Sequence, residues 1–332
     1  MSHPRLSLAL NGGGLSLSEG RIVVFGARSD LDLRDLPQDQ CQLVVGYKPD
    51  HDRFAAAGWD VVTAPSGDFA TGLVFLPRAK KLAKAMVAEA LGLGVQTLVI
   101  DGLKTEGIDS LLKEVRKAAP LQNSISKAHG KLFWVAASDL GDALNAWAAP
   151  ARQEVGDGLI TAPGVFSADG IDPASRLLVD ALPAKLGKHL ADLGAGWGYL
   201  SRAILSRDTV KSLALVEADH TSLSCARENV TDERASFYWA DATNWRSDRL
   251  LDGVIMNPPF HTGRAAEPQL GQAFIANAAR NLALSGQLWL VANRQLPYEA
   301  TLAQLFLDVE EIAGDNRFKV LHAARKRRVG KA

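Results

Sequence analysis

Cysteine is nearly missing from the 332 residues: only Cys41 and Cys225 occur, far apart and at no metal-ligand spacing. That excludes a disulfide framework and a thiolate metal centre, and it reads as the reduced thiols of a cytosolic protein. Net charge is missing as well, since 37 Lys and Arg balance 37 Asp and Glu. No global positive field draws the chain to nucleic acid, so any RNA contact has to use a local basic patch. No apolar run approaches the ~18 residues that a membrane span needs. The opening MSHPRLSLALNGGG has neither the charged region nor the apolar core of a signal peptide. The expectation is a soluble, cytoplasmic chain with no membrane partner. The 7 histidines are scattered without metal spacing, no Ser/His/Asp or nucleophilic cysteine pattern is present, and Gly12 to Gly14 lack the Lys of a phosphate loop. No metal is assigned. What the chain does have is 47% apolar residues, ample for buried cores and incompatible with disorder. Its length suits about two domains at the usual ~100–200 residues each.

Apolar, β-rich runs at 189–194, 212–218, 235–240, 251–256 and 286–292 alternate with helix-spaced segments in the second half. Alternation of this kind predicts an α/β domain with a mostly parallel sheet. The first half repeats it at 21–28, 41–48, 59–64, 72–77, 95–102 and 131–137, with helical stretches at 78–91 and 106–118. Between the halves, 148–170 is rich in Gly, Pro and small residues, which puts a boundary near 155 and gives domains 1–155 and 156–332. At the end, 309–314 and 317–325 read as a hairpin adding antiparallel strands to the sheet.

Only the second half carries a glycine cluster. HLADLGAGWGYLSRAIL (189–205) reads as a strand, a turn holding Gly194, Gly196 and Gly198, and a helix from about Tyr199. Glycines allow a tight turn and close backbone approach to a ligand. The spacing is G-x-G-x-G, with Asp192 two residues before the first glycine. A carboxylate there disfavours a pyrophosphate at the helix start and suits a ligand with an ammonium or sulfonium group, such as S-adenosylmethionine. The next strand brings Glu217 about twenty residues past the turn, placed to accept from both ribose hydroxyls. Asp219 is its competitor but lies farther from the strand end. A third strand is read as ending at Asp241, placed to accept from an adenine amino group. Each acid alone is an ordinary loop carboxylate; three at successive strand ends beside a glycine turn outline an adenosine-containing cofactor.

The fourth strand runs into NPPFHTG (257–263), where two prolines must stop it. Asn257, Pro258, Pro259 and Phe260 then sit beside the expected cofactor. The Asn257 amide oxygen and the Pro258 carbonyl can each accept one N–H of a planar amine, and Phe260 can stack on the attached ring. Holding both hydrogens aims the nitrogen, so positioning supplies much of the rate and no strong base is required. Asn257, Pro258 and Phe260 are the catalytic candidates, with Asn257 also bordering the cofactor. His261 is read as a loop histidine.

Taken together, PGVFS, Asp172 to Leu178, DLGAGWG, NPPFHTG, the VAN and LPY segments (291–298) and RFKV (317–320) resemble class I S-adenosylmethionine-dependent methyltransferases. More narrowly, the chain is similar to the small-subunit ribosomal RNA guanine-N2 methyltransferase C family over about residues 160–325. The resemblance implies two tandem Rossmann-like domains, the first a degenerate copy without cofactor, in agreement with the lone Gly26 of RIVVFGARSD. It also implies methyl transfer to the exocyclic amine of a guanine in 16S rRNA, with ribosomal RNA or a ribosomal subunit as partner; the oligomeric state is left open. Two departures stand out: Ala174 where the family has glycine before Ser175, and Trp197 inside the turn, expected to point to solvent or over the site. Large-subunit guanine-N2 methyltransferases share the plan and are the alternative.

RNA binding by a neutral chain calls for clusters, and two are present: Arg325, Lys326, Arg327, Arg328 and Lys331 near the end, and Arg78, Lys80, Lys81 and Lys84 in the first half. A competing reading of a different class is a cofactor-binding RNA chaperone or assembly factor without catalysis. The intact Asn257 tetrapeptide argues against it.

Overall fold

A computed structural model describes residues 4–148, 152–259 and 268–328. Phe260 and His261 lie outside the described residues. The chain divides into two compact units, Met1–Ala151 and Arg152–Ala332.

The front unit holds β1 (Ile22–Phe25), β2 (Cys41–Val44), β3 (Asp60–Val62), β4 (Thr71–Phe75), β5 (Thr97–Leu103), β6 (Asn123–Lys127) and β7 (Gly130–Ala136), in sheet order β3-β2-β1-β4-β5-β7-β6. β1 to β5 pair in parallel and β7 runs against its neighbours. Every residue of β1 and β4 is buried, because helices cover both faces of a parallel sheet and erase the usual alternation. The helix Ile108–Ala118 shows the complementary pattern, burying Ile108, Leu111, Leu112 and Val115 on one face. β6 went unread in the sequence: Asn-Ser-Ile-Ser-Lys is a partly exposed edge strand and needs no apolar run. Its two-residue turn puts Ala128 and His129 at φ 48° and 55°. Buried Arg5 braces that turn, donating to both Asp101 oxygens at 2.7 Å and to the Lys127 carbonyl at 3.0 Å.

In the back unit a small antiparallel pair, β8 (Gln153–Val155) and β9 (Leu159–Thr161), precedes the helix Pro173–Ala181. Then come β10 (His189–Leu193), β11 (Ser212–Glu217), β12 (Ala235–Trp239), β13 (Leu251–Met256), β14 (Leu282–Asn293), β15 (Phe306–Gly314) and β16 (Phe318–Lys326), in order β12-β11-β10-β13-β14-β16-β15. The two large sheets therefore share one topology. β16 alone among the described strands of this sheet is antiparallel, inserted between β14 and β15, so the terminal pair does not simply add two antiparallel strands at the edge. Apolar side chains fill both faces: Leu178, Leu190, Leu200 and Trp289 on one, Val254, Phe274, Leu282 and Tyr298 on the other. Burying each such side chain contributes roughly 1.5–3 kcal/mol. Strand order reverses beside β10, whose neighbours are β11 and β13. The crevice past the carboxyl ends of β10 and β13 is where an open α/β sheet receives a ligand.

Candidate active site

β10 delivers Asp192 into the sheet interior at 0% exposure. Its Oδ2 accepts from Ser201 Oγ at 2.7 Å, while Oδ1 is buried with no hydrogen-bond partner among the described residues. The turn that follows carries Gly194, Gly196 and Gly198 at φ 75°, 55° and 90°. Gly194 and Ala195 close it by donating to the Val216 carbonyl of β11. A Cβ on Gly196 would meet nothing within 4 Å, so the turn's middle faces open space that a ligand can approach closely.

Glu217 ends β11 against this turn, accepting from Gly196 N and Asp219 N, each at 2.8 Å. Asp219 is occupied otherwise: it caps the helix His220–Asn229 by accepting from Ser222 N at 2.7 Å. Each Glu217 oxygen still has a lone pair for a hydroxyl donor. Burial pushes the Asp192 and Glu217 carboxyls up to about 7, and the Glu217 charge adds to the Asp192 shift. Two enclosed acids and an orphaned oxygen fit a ligand that brings positive charge and hydroxyl donors.

β12 ends at Trp239, two residues before the expected Asp241. Asp241 lies in the following loop, where Oδ1 accepts from Thr243 N at 2.8 Å and Thr243 Oγ1 at 2.7 Å, an Asx turn. Its Oδ2 has only a long 3.4 Å contact from Asn244 Nδ2.

Asn257 follows the last residue of β13, half-buried, with Pro258 buried and Pro259 exposed. Its Nδ2 donates to Asp172 Oδ2 at 3.0 Å and to Ser175 Oγ at 2.9 Å. Its Oδ1 has no hydrogen-bond partner among the described residues. Phe260, expected to stack on the substrate ring, lies outside the described residues. Asp172 and Ser175 are contacts that sequence reasoning did not assign. Asp172-Pro173 is an N-cap followed by a proline in the first turn, a pattern that announces a helix start and nothing more.

Three other expectations change. Trp197 points neither to solvent nor over the site; it is 4% exposed, packs with Leu159, Val165 and Cys225, and donates from Nε1 to the Phe166 carbonyl. A bulky indole is accommodated because its one polar atom finds a carbonyl. The Ala174 methyl is buried in the core with Leu178 and Leu200. The terminal basic cluster is largely spoken for: Arg325 pairs with Asp308, Lys326 donates to the Leu282 carbonyl, and Arg327 donates to the Ala303 and Phe306 carbonyls. Lys331 is outside the described residues. In the front unit Lys84 pairs with Glu114 and lies over Trp147, whereas Arg78 and Lys80 are exposed. A cavity of about 350 Å³ there is lined by Lys104, Lys127, His129 and Lys131, with Asp109 paired to Lys131.

The front sheet does not repeat the polar set. Leu193 pairs with Val216, so Glu217 comes next; in the front sheet Phe25 pairs with Val44, so Val45 stands there. By the same register Val24 matches Asp192, and Phe75 matches Asn257. All three front residues are buried and apolar. A Cβ on Gly26 would lie 2.1 Å from the Phe75 carbonyl, so that turn is packed against its own backbone.

A family profile described as Methyltransferase small domain matches residues 157–322. Ribosomal RNA small subunit methyltransferase C of Shewanella sp. (strain MR-4) is 31% identical over 264 residues, 75% of each chain. The Pseudomonas aeruginosa (strain UCBPP-PA14) protein of that name is 28% identical over 325 residues, 92% of this chain and 94% of its own. Ribosomal RNA large subunit methyltransferase G of P. aeruginosa PAO1 is 34% identical over 172 residues, 50% of this chain and 46% of its own. Among solved structures, a T. thermophilus 16S rRNA N2 methyltransferase in complex with AdoMet and guanosine superposes at a TM-score of 0.77, with 22% identity, covering 97% of this chain and 92% of its own. At that identity the superposition speaks for the fold alone, and it extends over the residues of both units. With the glycine turn, the strand-end acids and the Asn-Pro-Pro segment in place, these matches settle the family: the chain belongs to the ribosomal RNA small subunit methyltransferase C family.

Proposed function

We propose that the chain methylates the exocyclic N2 amine of a guanine in small-subunit ribosomal RNA, with S-adenosylmethionine as methyl donor. The observation that carries this reading is Asn257, whose amide oxygen has no partner among the described residues while its nitrogen is held, on the strand that pairs with the one leading into the glycine turn. When bound, S-adenosylmethionine supplies a methyl group made electrophilic by its sulfonium. Asp192 would meet the cofactor's positive charge, the turn of Gly194, Gly196 and Gly198 would let it approach the protein backbone, most closely at Gly196 where a Cβ would meet nothing, Glu217 would accept from the ribose and Asp241 from the adenine amine. Asn257 Oδ1 and the Pro258 carbonyl would each accept a hydrogen bond from one amine N–H, and Phe260 would stack on the guanine. As the amine nitrogen bonds to the methyl, the sulfur–methyl bond breaks to leave a neutral thioether, and one amine proton passes to water. The amine is held without a strong base, so positioning and exclusion of water do most of the work.

The front unit, which ends at Ala151 rather than at the expected 155 because Gln153–Val155 pairs with Leu159–Thr161 of the back unit, is a cofactor-free copy that helps hold RNA. Val24, Val45 and Phe75 at the three key register positions support the first half of that statement. The basic cavity at Lys104, Lys127 and Lys131 supports the second. Similarity along 92% of the chain to a small-subunit enzyme, against 50% for a large-subunit one, favours the small subunit. The protein acts in the cytoplasm, where its RNA is. The test is incubation with labelled S-adenosylmethionine and separated small- and large-subunit ribosomal RNA, followed by nucleoside analysis. N2-methylguanine in the small-subunit RNA is expected. Label only in large-subunit RNA, or cofactor binding without transfer to either RNA, overturns the reading.

A further inference from the structure

We propose that Asp172 and Ser175 are positioning residues that dictate which face of the Asn257 amide meets the substrate. The inference rests on the reading of Asn257 as the amine-holding residue. An asparagine side chain has two nearly isosteric ends, one that only accepts and one that only donates. A site that must grip an amine needs the accepting end outward, and a freely rotating amide presents the wrong end part of the time. Here the choice is forced by chemistry. Asp172 Oδ2 lies 3.0 Å from one end of the amide, and an ionised carboxylate accepts but cannot donate, so that end has to be the NH2. Ser175 Oγ, 2.9 Å from the same nitrogen, accepts its second hydrogen. Turning the amide over breaks the bond to Asp172 and sets the carbonyl oxygen against a carboxylate, a loss that reversing the Ser175 hydroxyl into a donor does not repair. Oδ1 is therefore locked outward.

The clamp is itself held. Asp172 Oδ2 also accepts from Ser175 N at 2.8 Å, as N-cap of the helix Pro173–Ala181. Ser175 is 7% exposed and Leu178 on the same helix is fully buried. The start of this helix, far from Asn257 in sequence, thus sets an atom at the end of β13. A second consequence concerns selectivity: with Oδ1 outward, a group that offers an acceptor in place of an amine meets an acceptor and is refused.

The experiment separates this clamp from helix capping and from the role of Asn257. Asp172→Ser keeps an N-cap oxygen on a side chain too short to reach Asn257, and Ser175→Ala removes the second acceptor; both are combined in one chain. Asp172→Asn keeps a carbonyl oxygen for both bonds and is the conservative rescue. Single-turnover methyl transfer is measured with small ribosomal subunits from a strain lacking the activity, with cofactor affinity, melting temperature and the Asn257 side-chain 15N signals followed in parallel. The expected result is a loss on the order of ten- to a hundredfold in transfer rate for the combined variant. Cofactor affinity should stay within about twofold, the protection of the Asn257 NH2 hydrogens should disappear, and Asp172→Asn should stay close to wild type. A combined variant with the wild-type rate, or with rate, cofactor affinity and melting temperature falling together, overturns the clamp. Asn257→Ala is run alongside: if it transfers at the wild-type rate, the reading of Asn257 fails, whereas an inactive Asn257→Ala with a fully active combined variant removes the clamp alone.

Discussion

Asp192 is fully buried with one oxygen that has no partner among the described residues, an arrangement that costs stability unless something completes it. Its carboxyl and that of Glu217 are both raised to about 7 by burial. The folded protein therefore binds more protons than the unfolded chain between the ordinary carboxylate range and neutrality, and stability falls as pH rises through that window. In the cofactor-free protein, Asp192→Asn should flatten this fall and raise the melting temperature at about pH 8, where the burial penalty is about 1–3 kcal/mol or more for a charged group. The same substitution should weaken S-adenosylmethionine binding, whose affinity in the wild type rises from about pH 6 to 8 as the acids ionise. Thermal melts and calorimetry across that range check both halves; a variant that melts like the wild type and binds the cofactor equally well contradicts them. The strand-end places of Asp192 and Asn257 were legible in the sequence because each closes an apolar run beside glycine or proline, and that of Glu217 because it closes the next apolar run after the glycine turn. Asp172 and Ser175 were not, since what matters about them is a hydrogen bond to a residue about eighty positions away, and nothing local records it.

At the scale of elements, the strands that read clearly were the buried ones, such as Ile22–Phe25 and Leu251–Met256, whose β-branched and apolar content admits little else. Those that misled were partly exposed or misplaced. Asn123–Lys127 is an edge strand with little apolar content; the terminal antiparallel hairpin forms as expected, but the insertion of Phe318–Lys326 between Leu282–Asn293 and Phe306–Gly314 is not written in its own pattern. Insertion of that kind depends on long-range pairing, which patterning within a segment does not encode. The basic residues that close β16 looked like an RNA patch, yet their side chains bind carbonyls and Asp308. Within the LPY segment, one of the motifs that carry the resemblance, Tyr298 is 0% exposed, begins the helix Tyr298–Leu305, and has a hydroxyl with no partner among the described residues. It belongs to the core and not to the site. Tyr298→Phe should therefore leave methyl transfer unchanged and stabilise the protein by about 1 kcal/mol, since an unsatisfied buried hydroxyl is removed. A lowered melting temperature in that variant would show that the hydroxyl has a partner.

Across the whole molecule, one sheet topology occurs twice with two different fillings at the same register positions. Asp192, Glu217 and Asn257 stand in the back sheet where Val24, Val45 and Phe75 stand in the front. Polar groups buried in an unoccupied site cost stability, so apolar residues at these positions suit the proposed reading of the front unit as a copy without cofactor. Its contribution to RNA should be electrostatic. Replacing Lys104, Lys127 and Lys131 together by Ala should weaken RNA binding and flatten its salt dependence by up to about three counterions, leaving cofactor affinity intact. Unchanged RNA affinity at every salt concentration would place the contact elsewhere. The measurement that tests the whole account most directly uses the full-length chain and its Asn257→Ala variant: cofactor stoichiometry by calorimetry, with single-turnover transfer to small-subunit ribosomal RNA at saturating cofactor. The expected result is one S-adenosylmethionine per chain in both proteins and a transfer rate lower on the order of a hundredfold in the variant, as loss of one aiming contact implies. Two cofactors per chain, or wild-type transfer by Asn257→Ala, would contradict it.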